Sequence, residues 1–295
     1  MNSPVIDITD LSKSYGRDRG IEHVSLEVEE GEIFGFIGPN GAGKSTTIRI
    51  LLNLIFPSGG TARIMGMDVV RESKKIKLRT GYVPSDASAY SSMKVDEFLF
   101  YCLGFYGTEK GSERIATLSE LFGLDRRRKI SDLSGGNRKK VAIVQSLLHN
   151  PQLLILDEPT MGLDPLMQGR FYDLLRSENR KGMTIFFSSH TLSEVQMLCK
   201  RVAIIKEGRI IKVEDIETLR RRQLKKVRIE FDDQVPGEIY RLPGIQPEPV
   251  ISGRVFQCMY SGNMEELIAV LSNRKIIDMT IEEPSLEEIF MHYYN

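Results

Sequence analysis

The apolar residues of this chain change their spacing several times, and each change marks an element. Residues 5–8 form a short apolar strand, residues 11–16 read as a polar loop, and Val24, Leu26 and Val28 alternate with polar residues as in a half-buried strand. A turn at Glu30-Gly31 leads into residues 33–37, a continuous run of buried-strand type. Residues 47–55 then carry helical periodicity, 62–64 read as a brief strand, 73–79 as a basic helical connector, and 81–84 as a strand stopped by Pro84. From 94 to 124 the period is helical: Val95, Phe98, Leu99 and Leu103 predict one helix running on to Phe105-Tyr106, and Ile115, Leu118, Leu121 and Phe122 predict another. A helix over 138–149 precedes a second strand-like run at 153–156, and further runs follow at 183–187, 202–205 and 209–213.

Beyond Leu219 the pattern changes again. Val227, Ile229 and Phe231 alternate with charged residues, and a Pro/Gly-rich loop is expected over 236–249. A strand at 255–260, a helix at 264–271 and a strand at 276–281 come next. Ser285 and Glu288 have capping-box spacing at the start of a closing helix with Leu286, Ile289 and Phe290 on its apolar face. These patterns predict an α/β domain over 1–219 with a helical subdomain at about 90–135, followed by a small accessory α+β domain over 220–295. Aromatics at helical spacing in the subdomain read first as core.

Composition narrows the choice of function. The 295 residues carry 40 Lys+Arg against 40 Asp+Glu, so net charge supplies no argument for nucleic acid or an anionic membrane. The tetrad Arg126-Arg127-Arg128-Lys129 reads as a solvated loop. No apolar run approaches the roughly 20 residues of a membrane helix, and residues 1–20 lack a signal-peptide pattern. The three cysteines are scattered without metal-ligand spacing, which predicts reduced thiols in the cytosol.

The chemistry concentrates in a few stretches. Gly38-Pro39-Asn40-Gly41-Ala42-Gly43-Lys44-Ser45-Thr46 matches G-x-x-x-x-G-K-[ST] between a predicted strand and a predicted helix. Glycines let successive N–H groups converge on phosphate oxygens, and the helix start adds its positive end. Lys44 is placed to reach the terminal phosphates and Ser45 to ligate Mg²⁺. The run 153–156 ends in Asp157-Glu158: a buried strand delivering one carboxylate for Mg²⁺ and a second, Glu158, to polarise an attacking water. His190 ends another apolar run; it is either a group aimed at the γ-phosphate or a structural strand-end histidine. Tyr15 either stacks on an adenine ring or packs on its own strand.

In this order the motifs closely resemble the ATP-binding subunit of an ABC transporter, over about residues 4–215. Residues 38–46 resemble its Walker A, Leu133-Ser134-Gly135-Gly136-Asn137 its signature motif, 153–158 its Walker B, 162–164 its D-loop and His190 its switch histidine. The resemblance implies a P-loop ATPase that binds ATP and Mg²⁺. It also implies that Ser134, Gly135, Gly136 and Asn137 act in trans on nucleotide held by a second copy or a related subunit, and that Tyr15 stacks on adenine. A further implied partner is a separate integral membrane permease, which would hold this chain at the inner face of the cell membrane.

Two departures stand out. Ser85 occupies the position where the family commonly has glutamine, too short to reach Mg²⁺ and the water as glutamine does, and Asn137 replaces the commoner glutamine. Such changes, with the tail 283–290, resemble the branch that serves ABC-2-type permeases, including drug and antibiotic exporters. A non-transport ABC protein is the alternative, but cytosolic members of that kind typically carry two ATPase domains or long coiled-coil inserts.

Overall fold

A computed structural model describes residues 4–16, 18–86, 92–107, 111–221, 225–272, 274–282 and 284. The chain divides into two compact units, Met1–Glu214 and Asp215–Asn295.

The first unit begins with a long twisted hairpin, β1 (Ile6–Tyr15) and β2 (Asp18–Val28), followed by β3 (Ile33–Ile37) and helix α1 (Lys44–Leu51). Then come β4 (Gly59–Ile64), β5 (Met67–Asp68), α2 (Ser73–Lys77) and β6 (Thr80–Val83). Two helices, α3 (Val95–Leu103) and α4 (Gly111–Leu121), precede the longer α5 (Gly135–Leu147). The remainder alternates: β7 (Leu153–Asp157), α6 (Pro165–Arg180), β8 (Thr184–Ser189), α7 (Leu192–Leu198), β9 (Arg201–Lys206) and β10 (Arg209–Asp215).

Two sheets result, one of order β2-β1-β4-β5 and one of order β10-β9-β3-β8-β7-β6. In the second, β3, β6, β7, β8 and β9 run parallel, and β3, β7 and β8 are buried at every position. Covering on both faces is why their central residues, 33–37, 153–156 and 185–187, form apolar runs. The two sheets share one core: Ile6 and Val24 from the hairpin meet Phe34, Phe36 and Phe186 from the parallel sheet, with Ile48 and Leu51 of α1. Phe36 and Phe186 pack at 5.2 Å between ring centroids. Because five strands are parallel, their C-terminal ends open on one edge, and β8 lies between β3 and β7 there.

The structure corrects several local expectations. Residues 11–15, polar enough to suggest a loop, continue β1, with Leu11 buried and Tyr15 paired to Asp18. Register shifts along the hairpin let it twist while the polar positions face outward. Helix α3 stops at Leu103, short of Phe105 and Tyr106. The subdomain aromatics also divide: Phe98 and Phe122 are buried, whereas Phe100, Tyr101 and Phe105 are exposed.

The second unit contains α8 (Ile216–Arg221), β11 (Lys225–Phe231), β12 (Ile245–Ser252), β13 (Val255–Tyr260), α9 (Met264–Leu271) and β14 (Ile276–Glu282). Its sheet has the order β12-β13-β11-β14. Val227, Ile229, Phe231, Phe256 and Tyr260 form a core closed by Leu267 and Leu271 of α9. The second half of the expected 236–249 loop is strand, since β12 pairs with β13 from Ile245 onward. The closing helix expected around Ser285 and Glu288 lies outside the described residues.

His149, just after α5, is buried and stacks on Tyr106 at 3.8 Å between centroids. Desolvation is the main reason its pKa falls from 6.5 to about 4, and nearby Arg114 also opposes its charge. The unfolded chain therefore takes up a proton that the folded chain refuses. The associated stability is full above pH 6.5 and declines as pH falls towards 4. His149→Phe, which preserves the stack, is expected to flatten the loss of Tm between those pH values; an unchanged profile in thermal melts across that range would refute the assignment.

Candidate functional site at the strand ends

The loop after β3 is shaped by its glycines. At Gly43 the backbone has φ of 109°, and an added Cβ would lie 2.6 Å from Cγ2 of Ile21. At Gly38 it would lie 2.2 Å from the carbonyl oxygen of Ile205. A side chain at either position would force the loop off the sheet edge. Gly43 caps α1 without a side-chain hydrogen bond, so no side chain of the cap competes for the first-turn amides. Pro39, Asn40, Gly41 and Ala42 complete the loop, with Thr46 in the first turn of α1.

Lys44 is almost wholly buried. Its ammonium donates to the carbonyls of Gly38 at 2.6 Å and Pro39 at 3.1 Å, and lies 3.2 Å from Oε1 of Glu158. The loop is thus closed by its own lysine, which also reaches across to the end of β7. The Ser45 hydroxyl stands near enough to the Asp157 carboxyl to favour its charge, and Oγ of Ser188 donates to Oδ1 of Asp157 at 3.3 Å. Burial pushes the Asp157 carboxyl above its usual range, and the two hydroxyls pull it back.

Glu158 leaves the strand in a strained conformation, φ 47°, which costs about 1–3 kcal/mol in a non-glycine residue. Its amide donates to the Ser188 carbonyl at 3.1 Å. Its Oε2 lies 2.9 Å from Nδ1 of the half-exposed His190, while Oε1 faces Lys44. Sheet order explains the meeting: β8 stands between β3 and β7, so its terminal residues fall between the glycine-rich loop and the paired carboxylates. The register sets Asp157 beside Ser188 and Ile37 beside Ser189. Lys44, Ser45, Asp157, Glu158 and His190, spread over 147 positions of sequence, become one cluster.

The stretch 134–137 is not joined to that cluster. Among the described residues no hydrogen bond or ion pair links Ser134, Gly135, Gly136 or Asn137 to residues 38–46. Ser134 caps α5, its Oγ accepting from the Asn137 amide at 3.3 Å. Gly136 packs against the turn before α6: an added Cβ would stand 2.4 Å from the carbonyl oxygen of Gly162. Asp164 caps α6 by accepting from the Met167 amide at 2.9 Å. Tyr15 sits at the end of the hairpin with its ring exposed and the Lys13 ammonium 5.4 Å from its centroid. Lys139 was not foreseen. It lies four and eight residues before Ile143 and Leu147, all three buried, so its place on the apolar stripe of α5 was the available signal.

A family model described as ABC transporter matches residues 21–161. The bacitracin transport ATP-binding protein BcrA of Bacillus licheniformis is 32% identical over 98% of this chain and 97% of its own length. The chain belongs to the ABC transporter ATP-binding family. Another relative of this ABC ATPase is the Nod factor export ATP-binding protein I of Rhizobium etli, 31% identical over 97% of this chain and 92% of its own. Among solved structures, an ATP-binding subunit of an ABC transporter is 31% identical with a TM-score of 0.69, covering 74% of this chain and 92% of that one. A dimeric ATP-binding cassette in a post-hydrolysis state, bound to ADP and Pi, is 25% identical with a TM-score of 0.67, covering 72% and 98%. The fold is that of a P-loop ATPase with a helical subdomain, and the chain is an ATP-binding, ATP-hydrolysing subunit of the ABC transporter type.

The close approach of Gly136 to Gly162 separates two neighbouring glycines. Gly136→Ala is expected to lose about 1–3 kcal/mol through overpacking against a carbonyl. Gly135→Ala, with open space around it, is expected to be stable or slightly stabilised. Urea unfolding of the two variants decides the point, and equal midpoints would contradict the packing described.

Proposed function

We propose that two copies of this chain close around two molecules of Mg·ATP and drive a separate integral membrane permease of the ABC-2 type. Glu158 carries the reading, because its carboxylate is held between Lys44 and His190 at the mouth of the phosphate loop. In each closed site, amides of residues 38–46 and Lys44 cradle the phosphates, and Tyr15 stacks on adenine. When nucleotide enters, the Lys44 ammonium exchanges the Gly38 and Pro39 carbonyls and its contact with Oε1 of Glu158 for phosphate oxygens. This frees Oε1 of Glu158 to accept a hydrogen bond from the attacking water. His190 holds the other carboxylate oxygen and faces the γ-phosphate.

The residues present suit a magnesium ion. Ser45 and Asp157 lie close enough to interact, and they supply two hard oxygen donors. Among the described residues no group of three or more His, Cys, Asp or Glu forms a self-sufficient metal site. That accords with a cation held partly by nucleotide phosphates and water. When bound, the ion would neutralise charge on the β- and γ-phosphate oxygens.

The signature residues Ser134, Gly135, Gly136 and Asn137 begin a 13-residue helix without joining the loop of their own chain. Their role is to complete the site of the other copy, so ATP acts as the bond between subunits and its hydrolysis releases them. No helix among the described residues is long and apolar enough to cross a membrane, and the chain's place is cytoplasmic, at the inner face of the membrane through the permease. The relatives named for bacitracin transport and Nod factor export support export of a drug, an antibiotic or a peptide- or lipid-like substrate.

Glu158→Gln preserves shape and removes the charge. It is expected to bind ATP, to lose about 10²-fold or more in turnover, and to accumulate as a nucleotide-bound dimer in size-exclusion chromatography with Mg·ATP. Wild-type turnover would remove Glu158 from the mechanism. Lys44→Ala is expected to weaken nucleotide binding itself, and isothermal titration with unchanged ATP affinity would argue against the cradle. Co-purification with a permease encoded by a neighbouring reading frame tests the partner.

A further inference from the structure

Lys139 is 3% exposed, yet it carries an ammonium group into the interior beside the catalytic edge. Nζ donates to the carbonyls of Pro84 at 2.8 Å, Ser85 at 2.8 Å and Glu158 at 3.1 Å. An ammonium has three N–H donors, so the three carbonyls saturate it. Burial pulls its pKa below the usual lysine value, while Asp157, Glu158 and Asp86 pull it back up. The three carbonyls belong to two different segments. Pro84 and Ser85 lie in the loop that follows β6, whereas Glu158 follows β7. Lys139 itself stands on α5, whose first turn is the signature stretch.

We propose that Lys139 is a positioning residue for Glu158, binding the strained Glu158 backbone to the Ser85 loop and to the signature helix. The inference rests on the reading of Glu158 as the residue that orients the attacking water. A carbonyl held at the residue with φ 47° fixes the rotation of that peptide. The peptide in turn aims the carboxylate between Lys44 and His190. Ser85 is too short to reach the catalytic cluster with its own side chain. The Lys139 ammonium makes a main-chain connection in its place, so movement of the loop or of α5 is passed to Glu158 through one buried cation.

The test separates binding from turnover in the full-length chain, using Mg·ATP. Lys139→Met removes all three donors, Lys139→Gln keeps two without the charge, and Lys139→Arg keeps both charge and donors. ATP is held by other residues, so Lys139→Met is expected to bind it within about twofold of wild type while kcat falls about tenfold or more. Lys139→Arg is expected to recover most of that loss. Lys139→Met that melts cooperatively and turns over at the wild-type kcat overturns the proposal. So does a parallel loss of affinity and kcat that Lys139→Arg fails to recover, because that marks a purely structural role. If Lys139→Met does not melt cooperatively, Lys139→Gln is judged by the same two criteria. Glu158→Gln measured alongside keeps the two readings apart. Lost turnover there with wild-type kcat in Lys139→Met overturns this inference alone, and retained turnover there overturns the reading beneath it.

Discussion

A carboxylate that is nearly buried needs partners, and Glu158 finds them in Lys44 on one side and His190 on the other. An unpaired charge at this depth would cost several kcal/mol. The contact therefore ties the glycine-rich loop, the end of β7 and the end of β8 into one unit. The strained Glu158 backbone is tolerated because neighbouring strands determine it, through the Ser188 carbonyl on its amide and the Lys139 ammonium on its carbonyl. Strain and ion pairing occur together because the same residue must leave a buried strand and immediately turn its side chain towards the phosphate loop.

The parallel sheet makes that meeting possible. Its fully buried strands are short, and their shared direction brings Gly38, Ser85, Asp157 and His190 to one edge. Beneath them lies a continuous core in which aromatic residues of β3 and β8 pack together. Rigidity there matters, because sub-ångström placement of a carboxylate decides whether a water is aligned for attack. The signature stretch is different: it opens α5 and packs on the turn at Gly162, with no hydrogen bond to the glycine-rich loop of its own chain among the described residues. The proposed split of the site between two chains would make association depend on nucleotide.

Much of this was legible in the sequence. Residues 33–37, 153–156 and 185–187 are apolar because both sheet faces are covered, so their strand character follows from composition alone. The loop 38–46 is equally readable, since its backbone geometry demands glycine and its chemistry demands Lys-Ser. The polar half of β1 was not readable, because hairpin partners satisfied its backbone while its side chains stayed in solvent. Strand β12 was obscured by Pro247 and Pro249, which fall where its pairing with β13 shifts register, between Gln246 and Val250.

By itself the sequence determined most of the elements, the phosphate loop, the paired carboxylates and the family, because each depends on local spacing or on residue types that backbone geometry imposes. Tertiary structure alone decided which groups touch. It placed His190 on Glu158, closed Lys44 onto its own loop, and put the Lys139 ammonium among three carbonyls. Apart from Lys44 and its own loop, these contacts join residues 19 to 55 positions apart, and strand order brings them together. No local pattern encodes the distance between two strand ends; burial of the sheet's two faces sets it.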